Sequence, residues 1–107
     1  MSTITRGKQD QYVEALKRAL DEYEGQHPDS VATLYRQNTA SVRIRIVDGG
    51  FSGFSKAQRH ERVWNFLSER LDDDTVQEIS VLLLLAPGEE GSSLMNAEFE
   101  DPIPSGF

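Results

Sequence analysis

The stretch SVRIRIVDGGFSGFSKAQRHERVWNFLSERL, residues 41–71, decides the fold because two hydrophobic periods follow one another within it. Apolar residues alternate with arginines over Val42–Val47, which is typical of a strand with one buried face. Beyond a glycine-rich loop, apolar residues recur at helical spacing over Val63–Leu71. Ser55 and Gln58 have the spacing of a capping box. The stretch therefore predicts a strand, a tight loop and an amphipathic helix.

Three further segments surround this stretch. Residues 9–23 carry apolar side chains at helical spacing and predict a first helix. Residues 31–36 are extended in character, and the turn-forming residues QNTA connect them to the strand at Val42–Val47 as a hairpin. A last strand is predicted over residues 76–85, with Ile79, Val81 and Leu83 toward the core and two leucines on the opposite side.

The resulting order is helix, strand, strand, helix, strand. A strand, a crossover helix and a second strand in one sheet are expected to place those strands parallel. The fold class predicted is α+β, with two layers: a small mixed three-stranded sheet and helices on one of its faces.

The two ends of the chain differ from this central part. We predict that residues 1–8 form a flexible leader, that residues 9–86 form the domain, and that residues 87–107 form an acidic flexible tail. The net charge is −7, and the tail contains five acidic residues without a single Lys or Arg. Sequences without periodicity that are rich in Gly, Pro, Ser and acids do not bury enough apolar surface to fold alone.

Composition narrows the classes of function. The chain has no cysteine, so it offers no disulfide, thiolate nucleophile or cysteine metal ligand. No apolar stretch is long enough for a signal peptide or a membrane helix, and we expect a soluble, cytoplasmic protein. Nucleophile-elbow, P-loop and dinucleotide-binding motifs are absent from the sequence. We therefore expect a protein that is not an enzyme.

The central stretch resembles the BolA family. In that family a strand leads into a Phe-x-Gly loop and then a helix that carries Arg-His-x-x-Val; the corresponding residues here are Phe51, Gly53, Arg59, His60 and Val63. The resemblance covers about half the chain and implies an α+β fold similar to a type II KH domain. It also implies a non-enzymatic protein that acts with a monothiol glutaredoxin or as a DNA-binding regulator.

The family's shared [2Fe-2S] cluster is ligated by a histidine early in the last strand and by a second residue in the hairpin loop. Here Gln77 stands at the first place, and Gln37, Asn38 and Thr39 supply no His or Cys at the second. An amide is a poor iron ligand beside imidazole or thiolate. We therefore predict that the chain itself holds no cofactor and no metal.

Two interpretations of the glycine-rich loop remain open. The residues GFSG at 50–53 have the G-x-x-G form of KH loops, which clamp a nucleic-acid backbone. The alternative is a tight connection beside a protein-binding surface, which we favour because the net charge opposes tight nucleic-acid binding. Both interpretations use the same predicted binding residues: Gly50, Phe51, Ser52, Gly53, Lys56, Arg59, His60 and Arg62.

Overall fold

The computed structural model describes residues 1–101, which form four α-helices and a four-stranded mixed sheet. In chain order the elements are β1 (Thr3–Ile4), α1 (Gln11–Gln26), β2 (Ser30–Asn38), β3 (Ser41–Asp48), α2 (Lys56–Arg70), α3 (Asp73–Val76), β4 (Ile79–Leu85) and α4 (Leu94–Glu100). Short 3₁₀ turns at Gly49–Phe51 and Glu90–Ser92 follow β3 and precede α4. The predicted α+β class and the order of the five central elements are confirmed.

The strands lie side by side in the order β1-β2-β3-β4. β2 and β3 form the predicted antiparallel hairpin, in which Leu34 pairs with Ile44, and β4 runs parallel to β3 as expected. The prediction of three strands is wrong, because Thr3 and Ile4 add a short fourth strand parallel to β2. A strand of two residues has no visible alternation, so residues 1–8 gave no sign of it.

One face of the sheet packs against α1 and α2 to form the core. The strand residues Leu34, Ile44 and Ile46 are fully buried there. Val13, Leu16 and Leu20 of α1 and Val63 and Leu67 of α2 pack against them. Each such side chain contributes about 1.5–3 kcal/mol to folding when it leaves water. These burials hold α2 and the glycine-rich loop that precedes it.

The first helix is capped by Asp10, whose carboxylate accepts hydrogen bonds of 3.0 Å from the backbone N–H groups of Tyr12 and Val13. Arg36 of β2 forms an ion pair of 2.7 Å with the same carboxylate. Burial by itself would raise the pKa of Asp10, but the Val13 N–H and the Arg36 guanidinium outweigh it and lower the pKa. The cap therefore ties α1 to the sheet.

Ile79 faces the core as predicted, but the side chains of β4 from Val81 onward face the opposite way from the prediction. The register between β3 and β4 shifts by one residue, so that Val42 pairs with Ile79 but Arg43 pairs with Val81. Such a bulge reverses the alternation beyond it. Leu82 and Leu84 consequently face the core with Ile44 and Ile46, whereas Val81 and Leu83 lie on the other face.

The far face of the sheet is partly covered by α4, so the helices are not confined to one face. Phe99 of α4 is only 3% exposed, and its ring packs on Tyr35 with 4.9 Å between the ring centroids. Arg43 and Arg45, the residues that alternate with the core side chains of β3, pair with Glu98 and Glu100. The segment expected to be an acidic flexible tail thus supplies a docked helix, while residues 102–107 of it lie outside the described residues.

At the other end, the expected flexible leader also makes specific contacts. Ser2 is 4% exposed, and its backbone N–H donates a hydrogen bond of 2.7 Å to Asp21. The guanidinium of Arg6 lies over the ring of Tyr35 and donates to the carbonyl oxygen of Glu100.

Within the described part of the chain, no helix has the length and apolar character that a bilayer crossing requires.

Candidate functional site

The glycine-rich loop is held by hydrogen bonds within the chain. Asp48 accepts a bond of 2.8 Å from the N–H of Gly50, and the N–H of Phe54 donates to the carbonyl oxygen of Phe51. Gly53 has φ of +87°, a conformation that favours glycine. Phe51 is 3% exposed and belongs to the core. These contacts support the interpretation of the loop as a tight connection.

The helix that follows begins as the sequence predicts. Ser55 accepts a hydrogen bond from the N–H of Gln58, and the Gln58 side chain accepts one from the N–H of Ser55, which completes the capping box. The three predicted cations of this helix then separate into different environments. Lys56 and Arg62 are exposed, and the Arg62 guanidinium lies over the ring of Phe54 at 4.7 Å. Ser52 is exposed as well.

Arg59 is turned into the protein and is only 6% exposed. Its guanidinium binds both carboxylate oxygens of Glu89, at 2.7 and 3.1 Å. It also donates to the backbone carbonyl oxygens of Leu84 and Phe54. The hydrogen bond with Glu89 raises the pKa of Arg59 and lowers the pKa of Glu89 to about 2. Arg59 therefore joins α2 to β4 and to the segment after it.

A groove runs along β4 beside this ion pair. Its cavity has a volume of about 860 Å³. The floor is β4 from Ser80 to Leu85, and one wall is the first turn and a half of α2, with Lys56 and His60. The other wall is formed by Ser92 and Ser93, which precede α4, and by Leu94 and Met95, its first two residues. We call this feature the β4 groove.

The floor of the β4 groove is an open sheet edge. Among residues 1–101, β4 pairs with β3 alone and has no strand on its other side. β4 reads ISVLLLL and contains no charged residue and no proline, the groups with which proteins usually protect such edges. An unprotected edge of this kind is a template for another strand.

Apolar side chains at the wall remain in contact with solvent. Leu94 is 89% exposed and Met95 is 51% exposed, and they are two of the four large hydrophobic residues exposed within the described residues. His60 is exposed on the opposite wall and stacks on Trp64 with 5.6 Å between the ring centroids. Among residues 1–101, the β4 groove thus combines a strand edge without a partner strand, at which Arg59 already binds the Leu84 carbonyl oxygen, with one wall that exposes apolar side chains. Peptide-binding edges combine the same two kinds of group.

The residues predicted from the sequence fall in three places. Lys56, Arg59 and His60 line the β4 groove, and Gly50, Phe51 and Arg62 line a second cavity of about 230 Å³. Ser52 and Gly53 are exposed in the loop and line neither cavity. Sequence analysis missed the residues after β4, above all Glu89, Leu94 and Met95. Their segment shows no periodicity, and the uncharged run at the end of β4 was the sign that could have drawn attention to the edge.

The smaller cavity is lined by Tyr23, His27, Asp48 and Arg62 among others. The hydroxyl of Tyr23 donates a hydrogen bond of 3.0 Å to Asp48, and burial, together with that carboxylate, raises the pKa of Tyr23. A raised pKa disfavours the phenolate, so the hydroxyl keeps its proton and donates it to Asp48. The arrangement stabilises the end of β3 against α1.

The position expected for a cluster ligand lies outside the last strand. β4 begins at Ile79, because Asp72 caps a short helix at Asp73–Val76 where the strand was predicted to start. Gln77 is the residue after that helix and is exposed. In the described part of the chain, no group of three or more His, Cys, Asp or Glu residues is arranged to hold a metal ion.

Comparison with family models, with curated proteins and with solved structures gives no match to this chain.

Proposed function

We infer that this protein is a non-enzymatic, BolA-like binding module that acts through protein–protein contacts, and that the β4 groove takes up an extended polypeptide strand. The observation that carries the proposal is the edge itself: seven residues without charge or proline, which among residues 1–101 have no strand on their outer side and lie beside the exposed Leu94 and Met95. Backbone hydrogen bonds along β4 would give affinity, and the side chains at the walls would give selectivity.

The BolA-like part of the proposal is supported by the segment from Phe51 to Val63 and by the order of the central elements. The protein-binding part is supported by the contacts that two of the predicted phosphate-binding groups make within the chain. Arg59 is committed to Glu89 and to two backbone carbonyl oxygens, so it has no free donor face for a phosphate. The amide of Gly50 already donates to Asp48. Both groups were expected to take part in a KH-like grip on nucleic acid, and both are already engaged within the chain.

The test is a selection of short random peptides on the immobilised full-length protein. We expect enrichment of extended, apolar sequences that lose binding to a Leu83→Lys variant, because a lysine on the edge strand disfavours strand addition. The matched control is Val31→Lys, which places a lysine on the same face of the sheet at a residue that is 60% exposed on β2. The control is expected to bind as the wild type does.

The nucleic-acid alternative is measured beside it with single-stranded oligonucleotides. Contacts of Lys56 and Arg62 with phosphates would give steep salt dependence, with log K falling by about 0.7 per contact for each tenfold rise in salt. We expect little binding near physiological salt. No peptide enrichment, together with oligonucleotide binding that Lys56→Ala and Arg62→Ala remove, would replace the protein-binding proposal with the KH-like one.

A further inference from the structure

We propose that β4 pairs antiparallel with β4 of a second copy of this chain, so that two sheets join into one across a two-fold axis. This inference rests on the proposed function, since it names the strand that the β4 groove takes up. The two-fold axis would run perpendicular to the sheet, and a closed pair of this kind removes both open edges at once.

The side chains of β4 are suited to this self-pairing. With the axis at Leu82, that residue lies opposite its own copy, and Val81 lies opposite Leu83. Residues directly opposite in an antiparallel pair lie on the same face. The pairs therefore match the observed faces: Leu82 lies on the core side, and Val81 and Leu83 lie on the side of α4. Only Ser80 brings a polar side chain into the seam.

The charges at the two ends of β4 are complementary. Arg59 binds the carbonyl oxygen of Leu84, which places the start of α2, with exposed Lys56, at the carboxyl end of β4. Asp73 and Asp74 are exposed in α3, directly before the amino end of β4. Antiparallel pairing brings the carboxyl end of one β4 to the amino end of the other. Lys56 of each copy would thus approach the aspartates of its partner, twice per dimer.

The proposed pairing would also cover the exposed apolar residues beside β4. Leu94 and Met95 lie on the wall of the β4 groove, on the face that carries Val81 and Leu83. A second β4 in the groove would bring another Val81 and Leu83 beside them, and would shield side chains that are 89% and 51% exposed in the single chain.

The first experiment is sedimentation velocity on the full-length chain over a wide range of concentration. The wild type is expected to shift reversibly from a species of 12.0 kDa to one of twice that mass. Leu83→Lys and Ser80→Lys are each expected to raise the dissociation constant about tenfold or more, which corresponds to ~1.4 kcal/mol. Val31→Lys is the control that should leave it unchanged. Ser80 is exposed, so its variant tests the seam even where Leu83→Lys perturbs folding.

The second experiment exchanges charges between copies. A Lys56→Glu chain and an Asp73→Lys/Asp74→Lys chain should each self-associate less than the wild type, because each places like charges together at both ends. A mixture of the two should form a heterodimer, since opposite charges then meet at both ends.

Three results would overturn the proposal: a monomer at every concentration, a dimer that the β4 variants leave intact, or a charge-exchange mixture that associates no better than its components. A monomer that still selects peptides through β4 would leave the proposed function standing, and one that selects none would remove both.

Discussion

The guanidinium of Arg59 and the carboxylate of Glu89 form a bidentate ion pair with nitrogen–oxygen distances of 2.7 and 3.1 Å. The pair joins α2 to the segment that follows β4. Glu89 also accepts a hydrogen bond of 2.9 Å from the N–H of Ala86. The pair lies at the end of the β4 groove, between the two walls. The ion pair therefore constrains the distance between the two walls.

This pair predicts an acid-sensitive contribution to stability. The Arg59 guanidinium, with help from the Ala86 N–H, lowers the pKa of Glu89 from 4.5 to about 2. A carboxyl whose pKa is lowered on folding stabilises the protein above its unfolded pKa and loses that contribution as the pH falls from about 4.5 to about 2. In urea unfolding, Glu89→Gln should be less stable than the wild type at pH 7, and the difference should shrink across that range. A difference that stays constant with pH would contradict the ion pair. Glu61→Gln, on the exposed side of α2, is the control.

Truncation of Arg59 should destabilise the protein far more than truncation of Arg62. Arg59→Ala removes charged hydrogen bonds from a buried position and should cost about 2 kcal/mol of unfolding free energy. Arg62→Ala, at an exposed residue three positions later, should change stability by less than about 0.5 kcal/mol. Chemical denaturation measures both. Equal, small effects would mean that Arg59 is a surface cation, as a phosphate-binding role requires.

Phe99 tests whether α4 belongs to the domain. Its ring is buried against Tyr35, so Phe99→Ala should cost about 3 kcal/mol. Leu94→Ala, in the same helix but 89% exposed, should have little effect on the free energy of unfolding. If residues 87–107 instead form the flexible tail that composition predicts, both variants will leave the unfolding midpoint unchanged.

Two glycines should give effects of opposite sign. Gly53 has φ of +87°, so Gly53→Ala should lower stability by about 1 kcal/mol even though a methyl group there meets no other atom within 4 Å. Gly25 lies in α1 with open space around it, and Gly25→Ala should raise stability by about 0.5–1 kcal/mol. Thermal unfolding of the two variants measures this. A Gly53→Ala protein of full stability would mean that the loop does not need its left-handed residue.

The central elements could be predicted because their apolar residues recur at regular spacing. The alternation over Val42–Val47 and the stripe in α2 each show which face is buried, and the capping box marks where α2 begins. The sequence did not reveal the elements whose stability depends on tertiary contacts. β1 and α4 span only 2 and 7 residues, and short elements of this kind are stable only when docked.

The candidate site was harder to predict than the fold. Arg59 looks like one of three surface cations in the sequence, and its burial depends on Glu89, which lies 30 residues away. The bulge opposite Val42 and Arg43 reversed the faces of β4 beyond Ile79, and strand periodicity alone cannot reveal a bulge. Lys56 and His60 lie at the β4 groove, which we propose as the binding surface in place of the glycine loop.

The most direct test of the central claim is amide hydrogen exchange along β4, by NMR, in the dilute protein and with its partner strand bound. The partner strand is a second copy at high protein concentration or a peptide obtained by selection. If β4 takes up another strand, exchange should slow at backbone N–H groups of Ile79–Leu85 that point away from β3, while the core of α1 changes little. Slowing confined to the loop at Gly50–Ser55 and the exposed face of α2, with β4 unchanged, would contradict the account.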